Sequence, residues 1–167
     1  AAIAATETEI MTGLAATLRE KGVAVEEVSV GSTPTASFAP SQRGITEMRP
    51  GNYVFYDRTQ VGLGSATYAQ CALFVVASVV SRPAPDRAIL DCGSKTLTND
   101  GARGFGGAPG YGLVFMSSSE DDPDTSILIE RLSEEHATCR VSPDSPLRPG
   151  DRVRVLPNHA CTVTNLM

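Results

Sequence analysis

His159 and Cys161 stand two residues apart in "VLPNHACTVTNLM", where a run of alternating apolar residues stops. Imidazole nitrogen and thiolate sulfur together suit a borderline-soft cation such as Zn²⁺. On an extended segment, side chains i and i+2 leave the same face, so both groups could reach one ion while Ala160 points away. Two protein ligands leave positions open for water or substrate, as a catalytic zinc requires. A buried cysteine beside a polar loop histidine would be spelled the same way.

A second group is Gly31-Ser32-Thr33-Pro34-Thr35, directly after an apolar run. Such a turn offers backbone N–H groups and hydroxyls to an anion, so it reads as a phosphate cup or as a plain loop. It matches neither a Walker loop nor a dinucleotide fingerprint. Lys95 has the residue type of an amine nucleophile, but its setting in "DCGSKTLTND" predicts a solvated or ion-paired lysine at a turn. His136, after two glutamates in "SEEHATC", reads as a surface histidine. Cys71, Cys92 and Cys139 form no CxxC pair and read as small hydrophobes, reduced rather than bridged.

The elements that must position these residues follow from periodicity. In "TETEIMTGLAATLREK", Ile10, Leu14 and Leu18 recur every four residues, predicting an amphipathic helix from Thr6, its cap, to Lys21, with Gly22 as its stop. "VEEVSVG" then predicts a strand, and helix into strand is one αβ unit of a parallel α/β fold. Past "GSTPTASFAPSQRG" the pattern changes to short apolar runs broken by turn residues. Strands are predicted in "NYVFYD", "ALFVVASVVSR", "RAILDCG", "GLVFMS", "SILIERLSEEHATCRV" (two, joined by a turn) and "DRVRVLP". The glycine-rich "NDGARGFGGAPGYG" is predicted to be a mobile surface loop. The fold class is mainly β, with residues 41–167 an antiparallel β domain and residues 1–40 an αβ unit.

Composition narrows the function classes. The 167 residues carry a formal charge of −5, and no run of Lys or Arg offers a footprint for nucleic acid or an anionic membrane surface. The apolar run "CALFVVASVV" is too short to cross a bilayer, and no basic segment precedes an apolar one at the N-terminus, so a cytoplasmic location is expected. The 15 Gly and 11 Pro fit a turn-rich β protein.

Taken in order, "VGSTPTAS", "EMRPGNYVFYD", "VVASVVSR", "ILDCGSKTLTNDG", "SEEHA" and "GDRVRVLPNHACTVTNL" resemble the D-serine dehydratase and D-threonine aldolase family of fold-type III pyridoxal-phosphate enzymes. The resemblance covers nearly the whole chain. It implies an alanine-racemase-like (β/α)₈ barrel followed by a β domain with a metal pair. Such barrels take about 250 residues, so this chain would correspond to the last αβ unit (1–40) and the β domain (41–167).

By the same resemblance Gly31, Ser32 and Thr33 hold the phosphate of pyridoxal 5'-phosphate, and His159 and Cys161 hold Zn²⁺, with Mn²⁺ an alternative. The Schiff-base lysine would lie on the first barrel strand, in a part not present here, so no catalytic residue is assigned in this chain and Lys95 is not that lysine. The implied reaction is β-elimination from a β-hydroxy D-amino acid such as D-serine, in a homodimer. His-x-Cys resembles the dehydratase branch. Retro-aldol cleavage as in D-threonine aldolase, racemisation that needs no metal pair, and a non-catalytic β dimerisation module remain as alternatives.

Overall fold

The computed structural model describes residues 1–38, 41–102, 108–116 and 121–166, so the centre of the predicted mobile loop lies outside the described residues. The chain forms two compact units, Ala1–Tyr53 and Val54–Met167.

In the first unit, helix α1 spans Ala2–Glu20 and ends at Lys21, with Gly22 at φ 82° turning the chain away. It starts four residues before the predicted cap, so Thr6 lies inside it. The predicted apolar stripe is not its buried face, for Ile10 and Leu14 are exposed and Ala4 and Ala15 are buried. Small side chains on that face let α1 lie close to strand β1 (Ser29–Val30), which keeps only the end of the predicted strand. β1 pairs in parallel with β2 (Glu47–Met48), and Arg49 N–H donates to Val30 O at 2.9 Å. Helix α2 (Thr33–Ala36) follows β1 directly.

The second unit is a six-stranded antiparallel sheet in the order β5-β8-β3-β4-β7-β6. Its strands are β3 (Val75–Ala84), β4 (Arg87–Leu90), β5 (Leu113–Phe115), β6 (Leu128–Leu132), β7 (Ala137–Arg140) and β8 (Arg152–Leu156). The two edges approach each other, since Tyr111 N–H, just before β5, donates to Ile129 O in β6 at 3.2 Å. The sheet is thus a curled half-barrel, mainly β.

Alternation decides its inner face: along β3, Val75, Ala77 and Val79 are buried while Val76 and Val80 are exposed, and along β8 Val153 and Val155 are buried between half-buried or exposed arginines. Leu90, Val114, Ile129 and Cys139 complete this core. Each fully buried Val or Leu contributes about 1.5–3 kcal/mol.

The predicted strand in "NYVFYD" is absent. That segment instead holds a 3₁₀ turn at Asn52–Val54, and Tyr56 takes φ 54°, a conformation that interrupts extended backbone. Within it Tyr56 packs with Val61, Tyr68 and Phe74 around buried Cys71, Phe115 and Leu156, while Tyr53 and Val54 are exposed. Phe74 meets Phe115 edge-on at 5.3 Å, and the Arg154 guanidinium lies 4.6 Å above Phe74. This second cluster fixes helix α3 (Arg58–Gly62), which begins immediately after Asp57.

Candidate functional site

β8 ends at Leu156, and the chain then passes through Pro157, Asn158 and His159 into the short helix α5 (Ala160–Thr164). His159 and Cys161 are therefore not the i, i+2 pair of a strand. His159 is the extended N-cap residue of α5, at φ −144° and ψ 103°, and Cys161 lies in the first helical turn. The imidazole is half-buried and the thiol side chain exposed, so both remain reachable.

The backbone leading to this pair is gripped by α3. Arg58 N–H donates to Pro157 O at 3.1 Å, Thr59 N–H to Asn158 O at 3.4 Å, and the Thr59 hydroxyl to the same oxygen at 2.7 Å. Asp57 is fully buried. One carboxylate oxygen accepts from Gln60 N–H at 2.9 Å, capping α3, and the other from Ala160 N–H at 2.8 Å, within the first turn of α5.

Asn158, 1% exposed, donates from Nδ2 to Asp100 O at 2.8 Å and Gly110 O at 2.9 Å, while its Oδ1 accepts from Arg58 Nη1 at 3.3 Å. The same guanidinium donates to Pro109 O at 2.9 Å. Burial of Arg58 lowers its pKa. Asn158 and Arg58 thus tie together Asp100 and Pro109–Gly110, on either side of the glycine-rich stretch, beside His159.

On the imidazole itself, Nδ1 lies 2.7 Å from Asp100 Oδ2. Asp100 also accepts through its side chain from the Thr162 hydroxyl at 3.2 Å. With Nδ1 engaged, Nε2 is the ring atom left to meet a ligand. Among the described residues no group of three His, Cys, Asp or Glu could hold a metal, and His159 and Cys161 offer one nitrogen and one sulfur donor. That donor set fits zinc better than the harder Mn²⁺, which prefers oxygen.

The other predicted residues fall as follows. In the first unit, Gly31 (φ 150°) follows β1, and a Cβ there would stand 2.5 Å from Arg49 N, so only glycine fits. Ser32 is the N-cap residue of α2, with its hydroxyl 3.0 Å from that of Thr35. Thr33 Oγ1 accepts from Tyr53 N–H at 3.1 Å, which leaves the hydroxyl proton available for an anion. These groups fit a phosphate.

Lys95, in helix α4 (Ser94–Leu97), is exposed and ion-paired with Glu134 at 3.0 Å and Glu135 at 2.8 Å, contacts that raise its pKa. His136 is exposed in the β6–β7 turn, where its backbone N–H donates to the Ser133 hydroxyl. Cys71, Cys92 and Cys139 are buried thiols. Sequence reasoning missed Asp57, Asp100, Asn158 and Thr162. Only Asp57 left a signal, an acidic residue ahead of a helical turn, which the apolar letters around it concealed.

The family described as "Putative serine dehydratase domain" matches residues 72–167. D-serine dehydratase of Dictyostelium discoideum is 32% identical over 158 residues, covering 86% of this chain and 38% of that protein. The solved structure of D-threo-3-hydroxyaspartate dehydratase from Delftia sp. HT23 superposes with a TM-score of 0.87 at 30% identity, covering 99% of this chain and 46% of that one. A cysteine-to-alanine mutant of that dehydratase is described in a metal-free form. An uncharacterised protein of Mycobacterium tuberculosis is 42% identical over 116 residues, covering 66% of this chain and 80% of that protein. The chain spans about two fifths of the length of the dehydratases it matches.

Proposed function

The chain belongs to the D-serine dehydratase and D-threonine aldolase family of fold-type III pyridoxal-phosphate enzymes, and from that membership we propose that it is the C-terminal part of a pyridoxal-phosphate- and zinc-dependent lyase. The reaction is β-elimination from a β-hydroxy D-amino acid, giving a keto acid and ammonia. The observation that carries this reading is His159, held through Nδ1 by Asp100 with Nε2 left over, two residues from the accessible thiol of Cys161.

When bound, pyridoxal phosphate supplies an electron sink for charge at Cα, and zinc a Lewis acid for the departing β-hydroxyl. His159 Nε2 and Cys161 Sγ hold the metal, and Gly31, Ser32 and Thr33 bind the phosphate through bare backbone and hydroxyl donors. A thiolate in place of a carboxylate at position 161 favours elimination over the retro-aldol alternative. The enzyme is read as a cytoplasmic homodimer whose Schiff-base lysine belongs to a barrel outside this sequence.

A second reading is favoured by the mycobacterial relative. This chain covers 80% of that protein with a 116-residue match, so it is too short to contain a barrel of about 250 residues. On this reading the β unit acts alone as a non-catalytic module.

One experiment separates the readings. The full protein is incubated with pyridoxal phosphate, zinc and either D-serine or D-threonine, before and after chelation. Keto acid from D-serine that disappears on chelation and returns with zinc supports the lyase. Glycine and an aldehyde from D-threonine would instead assign the aldolase, and neither product, with neither cofactor retained, would leave the stand-alone module.

A further inference from the structure

Asp100 follows one of only two non-glycine residues with positive φ among the described residues. Thr98 takes φ 62° and ψ 171° at the end of α4. A β-branched side chain in that conformation is strained and persists only where its surroundings hold it. Here the strained turn brings three groups together. Asp100 N–H donates to Thr98 Oγ1 at 3.2 Å, the hydroxyls of Thr98 and Thr162 lie 3.4 Å apart, and the Thr162 hydroxyl reaches Asp100 Oδ2 at 3.2 Å and His159 O at 3.0 Å.

The backbone carbonyl of Asp100 is fixed separately by Asn158 Nδ2, at 2.8 Å. The carboxylate that meets His159 Nδ1 at 2.7 Å is therefore reached directly by Thr162, while the backbone of Asp100 is fixed by Thr98 and Asn158. All of these contacts lie within the second unit.

An ionised carboxylate only accepts hydrogen bonds, so the Nδ1 that meets it carries the proton and Nε2 keeps its lone pair. A histidine fixed in this way is a better metal ligand, because its tautomer and ring angle are set before the ion arrives. We propose that Asp100, supported by Thr98 and Thr162, is the positioning residue that prepares His159 Nε2 for the metal. The inference rests on the zinc reading of His159 and Cys161 and adds to it a residue that does not touch the ion.

The test measures zinc affinity of the full protein by competition with a chromophoric chelator. It also records the absorption of the cobalt(II)-substituted protein, whose thiolate-to-metal band reports Cys161. Variants are Asp100→Ala, Asp100→Asn, Thr162→Val and His159→Ala. Asp100→Ala is expected to weaken zinc binding about 10- to 100-fold. Asp100→Asn, whose amide oxygen can accept the same hydrogen bond, should recover part of that loss, and Thr162→Val should cost roughly 2- to 10-fold. The cobalt–thiolate band should persist in all three, and the metal-free unfolding midpoint of Asp100→Asn should stay near that of the parent.

Unchanged zinc affinity in Asp100→Ala, with His159→Ala unable to bind, overturns the positioning role and leaves the metal site standing. A cobalt spectrum showing a lost oxygen ligand in Asp100→Ala and Asp100→Asn also overturns it, by making Asp100 a direct ligand. If His159→Ala binds zinc as well as the parent, the metal reading itself fails and the positioning role falls with it.

Discussion

The buried carboxylate of Asp57 accepts a hydrogen bond from the backbone N–H of Ala160 at 2.8 Å, joining residues 103 positions apart in the chain. Its other oxygen accepts from Gln60 N–H. A single side chain thus satisfies an end group on each of two short helices, and the second of those helices begins between His159 and Cys161. Neither helix is long enough to be stable alone. The placement of His159 and Cys161, the proposed metal pair, therefore depends on the Asp57 carboxylate.

Asp57→Ala leaves two buried N–H groups without that acceptor, and we expect a loss of about 2–4 kcal/mol in unfolding free energy. Asp57→Asn should be little better, because its amide must point a donor at one of two donors. Thr59→Val, which removes the hydroxyl bond to Asn158 O, should cost about 1 kcal/mol. Urea unfolding of the three variants checks the order, and a nearly silent Asp57→Ala would show that the two helix ends are satisfied otherwise.

Gly93 precedes α4, and a Cβ there would run into the backbone of the β6–β7 turn, meeting the Glu134 carbonyl group and standing 2.5 Å from Glu135 N. No flexible side-chain end lies in the way, so the backbones must separate. Gly93→Ala should destabilise by about 1–3 kcal/mol and shift α4, and with it Thr98. Gly101, where a Cβ would meet nothing within 4 Å, serves as the neutral comparison through Gly101→Ala. Equal unfolding midpoints for the two variants would contradict this close approach.

The strands of the second unit were legible because alternation along β3 and β8 reports a sheet with one buried face. "NYVFYD" misled because Tyr56 is apolar for a cluster on the other side of β5 and β8 while Tyr53 and Val54 are exposed, and positive φ at Tyr56 leaves no periodic mark. Ile10 and Leu14 misled in the opposite sense, since four-residue spacing marks a helix face without saying what covers it. His159 and Cys161 could be singled out by residue type. Asp100 could not, for its role arises only when residues 100 and 159 are brought together through Asn158 and the strained turn at Thr98.

Thiol chemistry should distinguish the four cysteines. Cys161 is exposed while Cys71, Cys92 and Cys139 are buried. Burial also pushes Cys71 up to about 11, with Asp57 adding to it, and keeps the thiol in its unreactive form. A disulfide reagent at neutral pH should modify Cys161 quickly and the other three only after unfolding. Saturating zinc should slow the fast reaction, and a fast phase that survives in Cys161→Ala would assign the reactivity elsewhere.

Alkaline pH should weaken the core of the second unit. Desolvation pushes Cys92 and Cys139 up to about 12, with negative charge at Asp91 adding to the shift at Cys92 and Cys92 to that at Cys139. In the unfolded chain these thiols ionise at about 8.5. Between the two values the folded state holds protons that the unfolded state has released, so stability is fully present below about pH 8.5 and falls as pH rises toward 12. The slope is about 1.4 kcal/mol per pH unit for each thiol. Cys139→Ala carries its own packing cost at every pH, but it should flatten the decline between pH 9 and 11 relative to the parent. Parallel stability profiles for parent and variant across that window would mean that another group governs the alkaline transition.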